Sequence, residues 1–425
     1  MLRAIAIVTG KSDYNEFKVL AGEAGYKIVD TVKVRNLREA GLSHAKIEEL
    51  KEKIVKNRAS EIICDTDLKP KQIYNIAKEV KVAPKTRVEI ILEIFKKHSP
   101  SREADLQIKL ASLHYELARA REKVRLAKIG EQPGFYGLGS YEVDVYYNEI
   151  KRRIQSIKRK LEIIRTKRDL HRKMRKKLNY KTIAIAGYTC SGKSSLFNAL
   201  TGLSVNIGPE PFTTLSTKFH TLRIGPWNCY IIDTIGFIRD LPPFMINAFY
   251  STLEEISFAD LILLVIDVSE AIQDILSKLK TSLEIIHQIG GADTAIIIVA
   301  NKIDLLSKSK LNEVIKELAK YDYPVVPVSA LYRKNIDNLV GVITRKLGRI
   351  LKVSITVPYY SLKNYDYQYT DMIFNLKKFG VVNQVSYNDN SVMMSGLIPF
   401  EFLKSIRRLV KRFGGHLKIE GSMGS

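Results

Sequence analysis

The sequence predicts an α/β chain of several domains: parallel sheets flanked by helices, interrupted by a long helical hairpin and closed by a small α+β unit. Three observations carry that prediction. Short apolar runs alternate with amphipathic stretches over residues 1–98. Two heptad seams follow, and then a strand, a glycine loop and a helix succeed one another from Thr182 to Leu200. Alternation of β and α segments is satisfied by parallel strands with helices packed on their faces. A 4-3 spacing of apolar residues is the seam of a coiled-coil helix.

Composition limits the alternatives. The chain has 425 residues, 45% hydrophobic and 27% charged, a globular balance rather than a disordered one. Its longest apolar runs, Leu261–Val268 and Ala295–Ala300, are strand-length and too short for a membrane span. The opening Met1–Gly10 stretch lacks a small-residue cleavage site and reads as a first strand rather than a signal peptide. Cys64, Cys190 and Cys229 lie far apart without metal-ligand spacing. A reducing cytoplasm is expected, with no zinc site and no disulfide framework. Gly421–Ser425 is left out of the expected fold.

In the first domain (1–98), Ala4–Val8, Lys27–Val34 and Glu61–Cys64 read as strands. Asn15–Ala24, His44–Lys56, Pro70–Val80 and Thr86–Lys97 read as helices. No glycine fingerprint or acidic cluster marks chemistry there, so a docking or recognition domain is expected. The second domain (99–180) holds both seams: Leu106, Leu110, Leu113, Leu117, Ala120, Val124 and Ala127, then Ile150, Ile154, Ile157, Leu161 and Ile164. A loop over 130–139 with four glycines and a proline separates them, so the two helices should fold back antiparallel. Phe135 and Tyr136 in that loop are of a kind that stacks on exposed bases.

Net charge is +23, and its location matters more than its size. Residues 145–180 carry fourteen Lys and Arg against Glu149, Glu162 and Asp169, whereas residues 181–350 carry seventeen basic and sixteen acidic side chains. A solvated helix face mixes signs; one that does not is suited to a phosphate-rich partner.

The third domain (181–350) carries the chemistry. Gly187-Tyr-Thr-Cys-Ser-Gly-Lys-Ser-Ser195 follows an apolar strand and opens a helix, the context of a phosphate-binding P-loop. Gly187 and Gly192 let backbone N–H groups of Tyr188, Thr189, Cys190, Ser191 and Ser195 turn toward phosphates, aided by the helix N-terminus. Lys193 brings charge to the β- and γ-phosphates, and the Ser194 hydroxyl suits the shell of a Mg²⁺ ion. Pro211–Thr217 then offers Thr213 and Thr214, one as a Mg²⁺ ligand. Asp233-Thr-Ile-Gly236 closes the strand Cys229–Ile232; its carboxylate serves the metal and the Gly236 N–H the γ-phosphate. Asn301-Lys-Ile-Asp304 closes the strand Ala295–Ala300. A carboxylate at Asp304 accepts both N1–H and N2–H of guanine, which adenine does not offer. Asn301 braces the loop, Lys302 lies along the base, and Ser329-Ala330 after the strand Pro324–Val328 presents backbone N–H to the guanine O6. Four short motifs in this order describe a domain that binds GTP, hydrolyses it to GDP and uses Mg²⁺, with Lys193, one of Thr213 and Thr214, and Gly236 as its catalytic groups. Phe237 stands where a glutamine would orient the attacking water. Intrinsic hydrolysis should therefore be slow and depend on a partner.

The run from Asp233 to Glu255, DTIGFIRDLPPFMINAFYSTLEE, resembles the signature of the HflX family of ribosome-associated GTPases, in an archaeal-type form. Thr86–Phe95, Arg102–Ala111 and the glycine loop before the basic helix occupy that family's order. The resemblance spans about residues 1–350 and implies an N-terminal α/β domain, a helical linker and a Ras-like domain. It further implies GTP hydrolysis stimulated by the ribosome, binding to the large subunit and its rRNA, and in bacterial members a role in splitting or rescuing ribosomes. Matching the family's switch stretch places its threonine at Thr214. The chain departs from the family at Cys190 and Ser191, where an asparagine and an alanine stand, at Pro243 for a histidine, and across Gly139–Asp144.

Residues 351–420 read as strand Val353–Val357, helix Asp366–Lys378, strands Val381–Tyr387 and Ser391–Leu397, helix Phe400–Arg412 and strand His416–Ile419. That βαββαβ order predicts a ferredoxin-like domain. Tyr359, Tyr360, Tyr365, Tyr367 and Tyr369 are of a kind that stacks on RNA, but some of these rings are expected instead to cover a sheet edge or domain junction. Two functions follow from the whole chain. The first is a monomeric GTP-hydrolysing switch on ribosomes. The second is a nucleotide-sensing adaptor for a protein or an anionic membrane surface, contacted peripherally, in which hydrolysis is incidental.

Overall fold

The computed structural model describes residues 1–10, 14–35, 37–39, 41–97, 102–128, 140–203, 218–234, 236–237, 254–358, 373 and 376–423. Its contacts divide the chain into two compact units, one built around residues 1–170 and the other from residues 171–206, 217–237 and 254–425.

In the first unit, β1 (Leu2–Val8), β2 (Tyr26–Lys33), β3 (Glu61–Cys64) and β4 (Pro84–Lys85) form a parallel sheet in the order β2-β1-β3-β4. Helices α1 (Tyr14–Glu23), α2 (His44–Asn57), α3 (Pro70–Val80) and α4 (Arg87–Lys97) connect or follow the strands. Ala4, Ile5, Ala6 and Ile7 are all fully buried, the pattern of a strand covered on both faces. Pro70 suits the first turn of α3, where no backbone donor is needed. Gln72 accepts the Lys69 N–H at 2.9 Å, and Lys81 ends the helix in the left-handed region at φ +63°. The two-residue β4 was not expected from the sequence; it is too short to carry a period.

Helices α5 (Arg102–Lys128) and α6 (Ser140–Lys177) follow. Leu110, Leu113, Leu117 and Ala120 of the first seam pack with Ile150, Ile154, Ile157 and Leu161 of the second. Glu103, at the start of α5, pairs with Arg168 near the end of α6 at 3.2 Å. Burial, and next the charge of Lys158, push the His114 imidazole below its ordinary value. Both contacts run antiparallel, as a hairpin requires. The glycine loop with Phe135 and Tyr136 lies outside the described residues.

The second unit holds two sheets. The larger has the order β10-β9-β8-β5-β7-β6, formed by β5 (Lys181–Gly187), β6 (Lys218–Ile224), β7 (Trp227–Asp233), β8 (Leu261–Asp267), β9 (Ala295–Asn301) and β10 (Val325–Val328). Every pairing is parallel except the β6–β7 hairpin, which turns at Gly225 with φ +56°. Sequence reading found β7 but not its partner β6, whose run KFHTLRI mixes polar and apolar residues. Helices α7 (Lys193–Thr201), α8 (Ile272–Gln288), α9 (Lys308–Leu318) and α10 (Ile336–Lys346) complete this layer. The core centres on Ile183, Ile185, Leu263, Val265, Phe197 and Trp227. Each such side chain contributes roughly 1.5–3 kcal/mol by leaving water.

The smaller sheet, order β12-β13-β11-β14, is antiparallel throughout, with β11 (Ile350–Pro358), β12 (Val381–Asn388), β13 (Ser391–Pro399) and β14 (His416–Met423). Helix α11 (Leu403–Arg412) buries Ile406 and Val410 against it. This is the expected ferredoxin-like arrangement, with one correction: β14 runs on to Met423, pairing Gly421 with Lys352 and Met423 with Ile350. Those residues belong to the fold because backbone pairing with an open sheet edge does not depend on their side chains. The tyrosine cluster and most of the expected helix 366–378 lie outside the described residues.

Candidate nucleotide-binding site

The site assembles at the carboxyl ends of β5, β7, β9 and β10, where an open α/β sheet leaves a crevice. Gly187 ends β5 at φ +143°, and a Cβ there would sit 2.3 Å from the Val265 carbonyl oxygen. Only glycine permits that approach. The loop continues through Cys190 at φ +62° to Gly192, which starts α7 at φ +93°. A Cβ on Gly192 would meet Asn301 Nδ2 at 2.1 Å, so this glycine makes room for the bracing carboxamide.

Asn301 ties three motifs together. Its Nδ2 donates to the Ser191 carbonyl at 2.8 Å and its Oδ1 accepts the Ala330 N–H at 3.0 Å. Asn301 and Ser191 are 2% exposed and Ala330 is 4% exposed, so the P-loop and the loops after β9 and β10 share one buried carboxamide. Ser329 is fully buried and exchanges backbone bonds with Lys334 at 3.2 and 3.0 Å. Lys302 stands in the left-handed region at φ +69°, with its ammonium 2.5 Å from Asp267 Oδ2. Asp304 lies one residue into the following turn, and its Oδ1 is buried without a hydrogen bond. A buried acceptor in that condition costs free energy until something donates to it.

On the phosphate side, Lys193 donates to the Tyr188 carbonyl at 2.7 Å. Burial pushes its ammonium down to about 8, while Asp233 pulls in the opposite direction. The Ser194 hydroxyl donates to Asp233 Oδ2 at 2.9 Å. Gly236 lies against Thr189 and Lys193: a Cβ there would approach Lys193 Nζ within 2.9 Å. Phe237 is 2% exposed, its N–H donating to the Gly187 carbonyl at 2.9 Å while its carbonyl accepts the Thr189 N–H at 3.0 Å. The first residue after the Asp233–Gly236 run is thus stitched to the P-loop through its backbone, with an apolar ring turned inward.

All the expected site residues from Gly187 to Ser195, and Asp233, Gly236, Asn301, Lys302, Asp304, Ser329 and Ala330, come from this one unit. Thr213 and Thr214 lie outside the described residues, as does the whole stretch from Ile238 to Leu253. Sequence reasoning missed Asp267, which ends β8 and orients Lys302 while accepting the Ser269 hydroxyl at 2.6 Å. An acidic residue closing a wholly buried strand was the available signal. Reasoning from the sequence also counted fourteen cations on α6 as surface charge. Arg172 is 8% exposed and bonded to Glu254 and Glu255; Arg168 and Arg175 are half-buried and paired with Glu103 and Glu255. Lys151, Arg152, Arg153, Lys158, Arg159, Lys160, Arg165, Lys167, Lys173 and Lys177 are exposed.

No helix among the described residues is long and apolar enough to cross a membrane. Three family descriptions match in succession: "GTP-binding GTPase N-terminal" over 11–96, "GTP-binding GTPase Middle Region" over 98–175 and "50S ribosome-binding GTPase" over 182–302. The chain is 44% identical to the GTPase HflX of Methanocaldococcus jannaschii, across 71% of this chain and 74% of that one. It is 44% identical to that of Hyperthermus butylicus, across 75% and 88%. Against that of Caldanaerobacter subterraneus the identity is 33% over 96% and 92%. Among solved structures, a GTP-binding protein from Sulfolobus solfataricus in complex with GDP aligns at 30% identity and a TM-score of 0.46, over 82% of this chain and 99% of that one. With the HflX relatives 33–44% identical and matched across most of both chains, the chain belongs to the HflX family of GTPases.

Proposed function

We propose that this GTPase is a slow, partner-triggered switch that binds the large ribosomal subunit through the exposed cationic face of α6. The observation that supports this reading is the separation of charge: a near-neutral P-loop domain adjoins a helix whose exposed charged side chains are overwhelmingly basic. The description "50S ribosome-binding GTPase" attached to the family matched at 182–302 agrees with it. Action in ribosome splitting, rescue or translation control follows from the same reading. We assign domains at 1–98, 99–180, 181–350 and 351–420.

In this reading Lys193 exchanges the Tyr188 carbonyl for the β- and γ-phosphate oxygens. Backbone N–H groups from Tyr188 to Ser195 hold the remaining phosphate oxygens. Asp304 accepts from the guanine ring, Ser329 and Ala330 face its O6, and the stem of Lys302, held by Asp267, covers the base. Ser194 and Asp233 offer a hydroxyl and a carboxylate 2.9 Å apart, hard oxygen donors that fit Mg²⁺, with Thr214 completing the set. When bound, that ion offsets charge developing on the phosphates. Gly236 supplies an N–H to the γ-phosphate. Phe237 supplies no polar group to orient water, so the rate waits on a group from the partner.

The test is co-sedimentation with purified large subunits at 50 and 200 mM salt, with GDP or a non-hydrolysable GTP analogue, alongside GTP turnover. Binding that weakens steeply with salt, favours the GTP analogue and raises turnover is expected. Salt-insensitive association, or turnover unchanged by ribosomes, overturns the proposal. Nuclease-resistant capture of a protein, or of anionic vesicles, would instead support the adaptor reading.

A further inference from the structure

The C-terminal domain carries its own segregation of charge. Residues 351–425 hold ten basic and five acidic side chains, and five of the ten basic ones fall within α11, which contains no acid. The rest of the domain is balanced, five against five. Lys404, Arg407, Arg408, Lys411 and Arg412 stand at i, i+3, i+4, i+7 and i+8, so they share one helix face, an arc of about 140° along about 12 Å of its length. All five are exposed, while Ile406 and Val410 on the opposite face are buried against the sheet. None of the five forms an ion pair among the described residues; the acids nearest α11 in sequence, Glu401 and Glu420, pair with Lys181 and Lys352 at 3.0 and 3.5 Å instead.

Like charges at this spacing destabilise a helix until an anion meets them. The surroundings favour one kind of anion. A membrane-surface helix buries apolar side chains among the lipids, but Leu403 and Leu409 are half-buried and no large apolar side chain of α11 is exposed. A single nucleic-acid strand is held by rings that stack on its bases, and the central strands β11 and β13, ILKVSITVP and SVMMSGLIP, contain none. The A-form RNA duplex instead presents fixed rows of phosphates on either side of a narrow major groove. A rigid helix with cations over a wide arc can meet both rows, and three of the cations are arginines, which pair with phosphate bidentately. The family descriptions matched above end at residue 302 and do not reach this domain.

We propose that the cationic face of α11 is a second RNA-binding surface, whose ligand is the phosphate backbone of double-stranded RNA, taken without sequence preference and in either nucleotide state. Contacts to phosphate fix position but read no bases. No residue of α11 or its sheet belongs to the nucleotide site, so duplex binding is indifferent to GDP or GTP. This surface is independent of the ribosomal reading, which assigns α6.

The test uses full-length protein without ribosomes, so its failure is distinct from failure of ribosome binding. Fluorescence anisotropy follows a labelled RNA duplex of mixed sequence, long enough at about 20 base pairs to present successive grooves, across a salt series. A single strand of equal length, vesicles of phosphatidylcholine and phosphatidylglycerol, and poly-glutamate serve as competitors. The triple variant Arg407→Gln, Arg408→Gln, Lys411→Gln is compared with Lys308→Gln, Lys310→Gln, Lys316→Gln, which removes the same charge from exposed positions on α9. The α11 triple should weaken duplex binding at least about tenfold at low salt and lower the slope of log affinity against log salt by about three. The α9 triple should stay within about twofold of wild type, and both results should be the same with GDP and with a non-hydrolysable GTP analogue. GTP turnover without ribosomes should be unchanged in both. Should the α11 triple fail to fold, Arg408→Gln alone must lower the slope by about one. Equal losses in the two triples, a duplex displaced as readily by the single strand, vesicles or poly-glutamate as by unlabelled duplex, or affinity that depends on the nucleotide overturns the proposal.

Discussion

Replacing Asn301 by alanine tests the claim that one carboxamide holds the nucleotide site together. The substitution removes the donor to the Ser191 carbonyl and the acceptor of the Ala330 N–H, and both partners are buried. Each orphaned buried group costs about 1–3 kcal/mol. Two give about 2–6 kcal/mol, toward the lower end if water enters the space the side chain leaves. A loss of about 3 kcal/mol is expected. The chain carries a single tryptophan, Trp227, buried at 2% exposure in the same core, with its indole N–H donating to the Thr344 carbonyl at 3.1 Å. Its fluorescence follows unfolding of this domain without interference from the others. Urea titration should show the midpoint falling with the slope unchanged. GDP affinity should weaken about tenfold, close to 1.4 kcal/mol, because Ser191 and Ala330 must then be ordered by the ligand itself. A domain destabilised by less than about 0.5 kcal/mol, the level of an ordinary surface substitution, would refute the bracing role.

Three further outcomes follow from the site. Lys193, held near 8 by burial, is mostly charged at pH 7 and mostly neutral at pH 9 in protein without nucleotide; phosphate contact favours the charged form. Binding then takes up a proton above pH 8, and GDP affinity measured in EDTA should fall up to tenfold per pH unit between 8 and about 10. A flat profile, or one equally steep in Lys193→Ala, contradicts this. The stability sign is opposite: a lysine with a depressed value favours the fold fully only above its ordinary 10.5, so protein without nucleotide should lose stability at this position as pH falls toward 7. Asp304→Asn should shift preference from guanine to xanthine nucleotides, read by competition of GDP against XDP; undiminished guanine selectivity removes Asp304 from base recognition. Cys64 and Cys229 have their thiols pushed up to about 12 by burial, whereas Cys190 is exposed in the P-loop. Iodoacetamide at pH 8 should label Cys190 alone, more slowly with GDP bound, as mass spectrometry of the digested protein will show; labelling of Cys229 in folded protein counts against its core position.

Much of this protein was legible in its residues because much of its structure is locally coded. Glu61–Cys64 and Pro70–Val80 coincide with β3 and α3 residue for residue, since a short buried apolar run, a proline at a helix start and a 3.6-residue period are properties of a few neighbouring positions. The P-loop was legible for the same reason: Gly187 and Gly192 take backbone angles that other residues resist. Where the expectations failed, the deciding partner was distant or the pairing made no demand on side chains. Strands β4 and β6 exist because β3 and β7 present open edges, and Gly421–Met423 joins β14 by backbone bonds alone. The basic face of α6 was visible as composition, but three of its arginines are bound to glutamates far away in sequence, at positions 103, 254 and 255. The sequence alone determined which chemistry the chain carries and the order of its elements. Only the tertiary structure decided which charges remain at the surface and which are buried in ion pairs, because burying a charge depends on a counter-charge that folding must bring to it.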